Sequence, residues 1–117
     1  MRAVTSSGIL RYPRRGDIHL VELDKPRPAL ILSVDQLNRH ALDVCVVPIT
    51  TKERARFIMR VFIAAGEGGL SHNSWAKCDQ VMTLEKNLVR YPATGALAPA
   101  TLQKIEEQIR ICLGLVR

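Results

Sequence analysis

A chain of 117 residues builds one hydrophobic core and therefore one domain. Apolar residues make up 47% of it, yet no run approaches the ~18 consecutive apolar residues of a membrane-spanning helix. A net charge of +6 and a pI of 9.7 favour a polyanionic partner such as nucleic acid or an acidic protein segment.

That charge is unevenly placed. Arg2, Arg11, Arg14 and Arg15 stand in the first fifteen residues with no acid among them, leaving 13 basic against 11 acidic residues in the remainder. Residues 1–13 lack the long apolar stretch of a secretory signal and read as a flexible basic arm ahead of a domain spanning 14–117. Cys45, Cys78 and Cys112 stand singly. An odd, scattered set fits structural thiols in a reducing cytoplasm rather than a disulfide framework.

In chain order, Gly16-Asp17 turns into a first strand, Ile18 to Leu23, apolar on both faces as at the centre of a small barrel. Asp24-Lys25-Pro26 turns the chain, and Pro28 to Val34 runs back through Ala29-Leu30-Ile31-Leu32. Asp35 to Ala41 is polar, with at most one helical turn. Asp43 to Ile49 reads as a third strand whose Pro48 implies an edge position or a bulge near its end. After the charged loop from Thr51 to Arg56, Phe57 to Ile63 and Ser74 to Met82 resume strand character, separated by the turn Gly66–Gly69. Thr83–Lys86 reads as a short helical turn and Leu88–Tyr91 as a last strand. From Pro99, Leu102, Ile105, Ile109, Cys112 and Leu113 recur at helical spacing, with Gly114 as the C-cap. The pattern predicts a mainly β (α+β) fold, a small barrel of about six to seven strands closed by a C-terminal amphipathic helix.

The chemistry-bearing residues gather at strand ends. Pro26 and Pro28 fix φ on either side of Arg27 and keep Lys25 and Arg27 extended, which mounts a guanidinium at the mouth of a buried strand. A guanidinium there is either a surface group beside a proline turn or a phosphate clamp. Thr50 and Thr51 end the third strand, where hydroxyls cap turns or donate to a phosphoryl oxygen. Lys52, Arg54 and Arg56 form a basic loop suited to a nucleic-acid backbone. His19 is of the residue type that most often serves as a general base but sits mid-strand, where packing is the plainer role. Trp75 and Tyr91 are candidates for stacking on a base, or for the core. No carboxylates or histidines stand at metal-ligand spacing, and the Gly66–Gly69 turn lacks the lysine of a phosphate-binding loop.

Several short motifs also fall in a familiar order. Arg15-Gly16-Asp17-Ile18, Arg27-Pro28-Ala29-Leu30-Ile31-Leu32, Pro48-Ile49-Thr50-Thr51, Gly69-Leu70, Ser74, Cys78-Asp79-Gln80, Thr83-Leu84-Glu85-Lys86 and Leu113-Gly114-Leu115 follow one another. Over roughly residues 14–115 the chain resembles the MazF/PemK family of toxin ribonucleases. The resemblance implies an SH3-like barrel with a C-terminal helix, a homodimer, and cleavage of single-stranded RNA at short sequences without metal or cofactor. It also implies neutralisation by an acidic, MazE-like antitoxin. Arg27 and Thr50 match the family's catalytic pair, with Lys25, Thr51, Lys52, Arg54, Arg56, Lys77 and Gln80 as candidate RNA contacts. The implied reaction is attack by a ribose 2′-OH on the adjacent phosphate, leaving a 2′,3′-cyclic phosphate and a 5′-OH. Two departures stand out: the loop before Arg27 is short, and Met82 replaces a common arginine. A gyrase-targeting toxin of the CcdB type, acting through its C-terminal helix, and a small barrel that only binds RNA are the competing readings.

Overall fold

The computed structural model describes residues 3–4, 10–53 and 59–115. Two short strands, β1 (Ala3–Val4) and β2 (Leu10–Arg11), pair antiparallel as a separate ribbon. The body follows as β3 (Asp17–Glu22), β4 (Pro26–Ile31), helix α1 (Asp35–His40), β5 (Asp43–Thr50), β6 (Arg60–Ile63), β7 (Ser74–Lys77), β8 (Met82–Glu85), β9 (Gly95–Ala96) and helix α2 (Pro99–Cys112). Single 3₁₀ turns, Glu67–Gly69 and Lys86–Leu88, precede β7 and follow β8.

β5 organises the sheet. Its first half pairs with β8 (Asp43↔Glu85 to Val46↔Met82), and its last two residues pair with β7 (Ile49↔Ala76, Thr50↔Trp75). On its other side it pairs with β4, so the seven-stranded sheet runs β6-β7-β5-β4-β3-β9 with β8 beside β5. One strand serving two partners along one side lets the sheet fork and curl. Pro48 therefore lies in a central strand. It falls in the gap between the β8 and β7 ladders, where no strand requires an N–H from it on that side.

Alternation along the strands fills two cores. Ile18, Leu30, Val47, Ile49, Ile63 and Ala76 pack with Ile105 and Ile109 of α2. On the opposite face Val21, Ala29, Ile31, Val44 and Val46 pack with Leu84 and Val89. The helix ends as its glycine predicts: Gly114 has φ +70°, the Leu115 N–H donates to the Arg110 carbonyl at 2.8 Å, and the Gly114 N–H donates to Ile111 at 3.2 Å. An Arg15–Glu106 ion pair ties α2 to the start of β3.

The mainly β fold closed by a C-terminal helix matches the sequence reading, but the segment after Gly69 divides differently. Ser74–Met82 is not one strand. The chain turns through Cys78-Asp79, with the Gln80 N–H donating to the Lys77 carbonyl at 2.9 Å, and returns as β8 over residues read as a helical turn. Residues 88–91 supply only a single bridge, Val89 to Val21. Of the segment read as a strand from Phe57, residues 57 and 58 lie outside the described residues.

Candidate functional site

Local sequence sets where Arg27 stands. Pro26 and Pro28 hold β4 extended, and Arg27 faces Val21 of β3 in the ladder. Alternation places it on the face carrying Ala29 and Ile31, away from α2. It lies beyond the last apolar position of the strand, and its side chain is 46% exposed. Its guanidinium is nonetheless fixed, because Nε and Nη2 donate to the two carboxylate oxygens of Asp24 at 2.9 and 3.0 Å. The short Asp24-Lys25-Pro26 turn makes this contact possible by bringing positions three apart together. The hydrogen bond to Arg27 lowers the Asp24 carboxyl from 3.8 to about 2, and Asp24 in turn raises the affinity of Arg27 for its proton.

Thr50 reaches the same face. The β4–β5 ladder pairs Ala29 with Pro48. Continued two residues along each strand, that register sets Arg27 opposite Thr50, and Thr50 shares its parity with Val46 of the face carrying Ala29. The Thr50 hydroxyl oxygen accepts the Lys52 backbone N–H at 3.1 Å, which leaves its own proton available to a substrate oxygen.

Between β3, β4, β5 and the β7–β8 turn lies an open cleft of 340 Å³. Leu23, Pro28, Val46, Pro48 and Met82 give it an apolar floor, while Arg27, Lys77 and Gln80 supply its polar wall. The structure thus brings Arg27, Lys77 and Gln80 together at one cleft, with Thr50 on the same face. Thr51 and Lys52 follow as an exposed loop. Lys25 is exposed on the turn before Arg27 and does not line the cleft. Arg54 and Arg56 lie outside the described residues.

His19 is held elsewhere. It is 2% exposed, its Nδ1–H donates to the Arg90 carbonyl at 2.7 Å, and its ring meets Tyr91 edge to face at 5.1 Å. A buried imidazole so engaged serves packing. Tyr91 in turn carries the Arg11 guanidinium 4.0 Å above its ring. Among the described residues, no three His, Cys, Asp or Glu side chains gather in a way that could hold a metal ion.

Sequence reasoning missed Asp24 as the partner of Arg27. The signal was present as an acid three residues before an arginine across a proline turn, but an aspartate there is also an ordinary turn former.

Residues 14–113 match the family model for the PemK-like, MazF-like toxin of type II toxin-antitoxin systems. The chain belongs to this family. Endoribonuclease MazF1 of Mycobacterium bovis is 32% identical over 108 residues, which cover 91% of this chain and 97% of that relative. Endoribonuclease MazF3 of Mycobacterium tuberculosis is 39% identical over 67 residues, 57% of this chain but only 63% of its own length. A solved mycobacterial endoribonuclease in complex with its cognate antitoxin superposes with a TM-score of 0.77 at 29% identity, covering 92% of this chain and 98% of the other.

Proposed function

We propose that the chain is a metal-independent endoribonuclease toxin that cuts single-stranded RNA at short sequences and is neutralised by a cognate acidic antitoxin. The observation that carries this reading is that strand alternation puts Arg27 of β4 and Thr50 of β5 on one face of the sheet, beside a cleft walled by Lys77 and Gln80. Membership of the toxin family and two relatives named endoribonucleases support it.

In the reaction, the ribose 2′-oxygen attacks the adjacent phosphorus as the bond from phosphorus to the 5′-oxygen breaks. The 2′-hydroxyl gives up its proton, the departing oxygen gains one, and the products are a 2′,3′-cyclic phosphate and a 5′-OH. Negative charge builds on the non-bridging oxygens. Arg27, held protonated by Asp24, meets that charge with the N–H groups Asp24 does not occupy, and the Thr50 hydroxyl donates a further hydrogen bond. Because it keeps its proton, Arg27 stabilises charge and does not act as the base. Lys77 and Gln80 hold the flanking backbone, with Thr51 and Lys52 along the adjoining loop.

The chain would act as a homodimer in the cytoplasm, and an acidic antitoxin segment would compete with RNA for the basic rim. The end chemistry tests the reading. Purified protein is incubated with a long RNA in EDTA, and new ends are mapped with and without kinase treatment. Discrete cuts bearing 5′-OH ends are expected; intact RNA at high protein concentration would sink the proposal.

A further inference from the structure

The face shared by Arg27 and Thr50 continues across the sheet. Thr50 pairs with Trp75 on β7, and Trp75 pairs with Phe62 on β6. At a strand spacing of ~4.8 Å, the Trp75 position is one strand from Thr50 and the Phe62 position two. The two rings meet edge to face, centroids 5.6 Å apart at 62°. This is not core packing. Ile63 and Ala76 turn into the α2-side core, so alternation sends Phe62 and Trp75 to the cleft side, where Phe62 is 51% exposed on the last strand of the sheet order. Tyr91, the other aromatic candidate for a base, already carries Arg11 on its ring.

We propose that Trp75 and Phe62 form the stacking platform for the base next to the scissile phosphate, fixing the flanking nucleotide while Arg27 and Thr50 handle the phosphate. The proposal rests on the nuclease reading of Arg27 and Thr50. An exposed π-face in line with a phosphate-handling pair suits a single-stranded base, whose ring stacks while its backbone follows the cationic wall. Phe62 on this view sets KM and sequence preference rather than the chemical step.

Trp75 is the chain's only tryptophan, so its fluorescence reports on this surface directly. The cut sites in a long RNA are mapped first, and an oligonucleotide of the mapped sequence is made with a single 2′-deoxy substitution at the scissile nucleotide. The oligonucleotide is expected to quench Trp75 fluorescence saturably in the full chain. Phe62→Ala is expected to raise KM about tenfold with kcat within about twofold, and Phe62→Tyr to restore it. Arg27-dependent cutting with unchanged fluorescence at saturating oligonucleotide, and a wild-type KM for Phe62→Ala, would overturn the platform and leave the nuclease standing. Dissociation of an oligomer by Phe62→Ala, with the cutting lost, would assign the patch to a second copy of the chain and also overturn it. A wild-type chain that cuts no RNA removes the nuclease reading and the platform together.

Discussion

At the scale of the residue, the Asp24–Arg27 clasp is the feature with most consequence. A guanidinium has five N–H donors in a rigid fork, and Asp24 takes only two of them, through Nε and Nη2. The carboxylate both orients the fork and lowers its appeal to a second anion. Asp24→Asn should therefore tighten RNA binding while lowering kcat about tenfold, because the guanidinium loses its fixed direction; initial rates across RNA concentrations separate the two effects. With its pKa depressed to about 2, Asp24 is charged at every ordinary assay pH, and the clasp opens only as pH falls through that value. Wild type and Asp24→Asn should accordingly give pH–rate curves of the same shape between about pH 5 and 9. The opposite sign holds for Cys78. Burial pushes its thiol from 9.0 to about 12, so between those values the folded chain keeps a proton that the unfolded chain loses, and stability should fall as pH rises through that window. At pH 7.5 the native thiol should resist an aromatic disulfide reagent that labels it at once in denaturant. The mount of Arg27 was legible in its two prolines. Its clasp was not, because a turn aspartate gives no hint of where its carboxylate points.

At the scale of the element, the site depends on β5 changing partners, and the fold around it on a close backbone approach beside β9. Gly69 has φ +76°, and a Cβ there would stand 1.9 Å from the Thr94 carbonyl oxygen. Thr94 in turn holds its one hydroxyl proton between the carbonyls of Gly68, 2.8 Å away, and Ile18, 3.1 Å away. Gly69→Ala should cost about 3 kcal/mol or more, combining left-handed strain with a backbone clash, whereas Gly66→Ala, at φ +94° but with nothing within 4 Å, should carry the strain alone and cost less. Ile105→Ala, which empties a fully buried position under α2, should lose ~2–5 kcal/mol. Urea midpoints at constant slope compare all three. Helix α2 and the strands β3, β4 and β5 could be read from local pattern, since their apolar residues form runs or repeats that local sequence declares. β8 could not: Met82–Glu85 is too short to declare a period, and only its pairing with Asp43–Val46 makes it a strand. The same gap hid the site's geometry, because the turn at Cys78-Asp79 that sets Gln80 beside Lys77 lay inside what read as a continuous strand.

At the scale of the molecule, a positive net charge meets one cleft and one face. On the proposed reading, the +6 charge would draw a polyanion toward the surface, the Arg27–Lys77–Gln80 wall would hold its backbone, and the row from Arg27 and Thr50 to Trp75 and Phe62 would order phosphate and base along the sheet. A partner so held is bound through its phosphates, so RNA affinity should fall steeply with salt, with a log–log slope that shrinks by about one for Lys77→Gln. Surface charge alone would give RNA binding without cutting, and on the proposed reading the Arg27–Thr50 pair would separate a nuclease from a binder. The decisive measurement is the single-turnover rate of RNA cleavage in EDTA by wild type, Arg27→Ala and Thr50→Val, each shown to be folded and to bind RNA. The account predicts a loss of at least about a thousandfold for Arg27→Ala and about a hundredfold for Thr50→Val, in line with removing donors from a developing oxyanion. Cleavage by Arg27→Ala within a few-fold of wild type would contradict it.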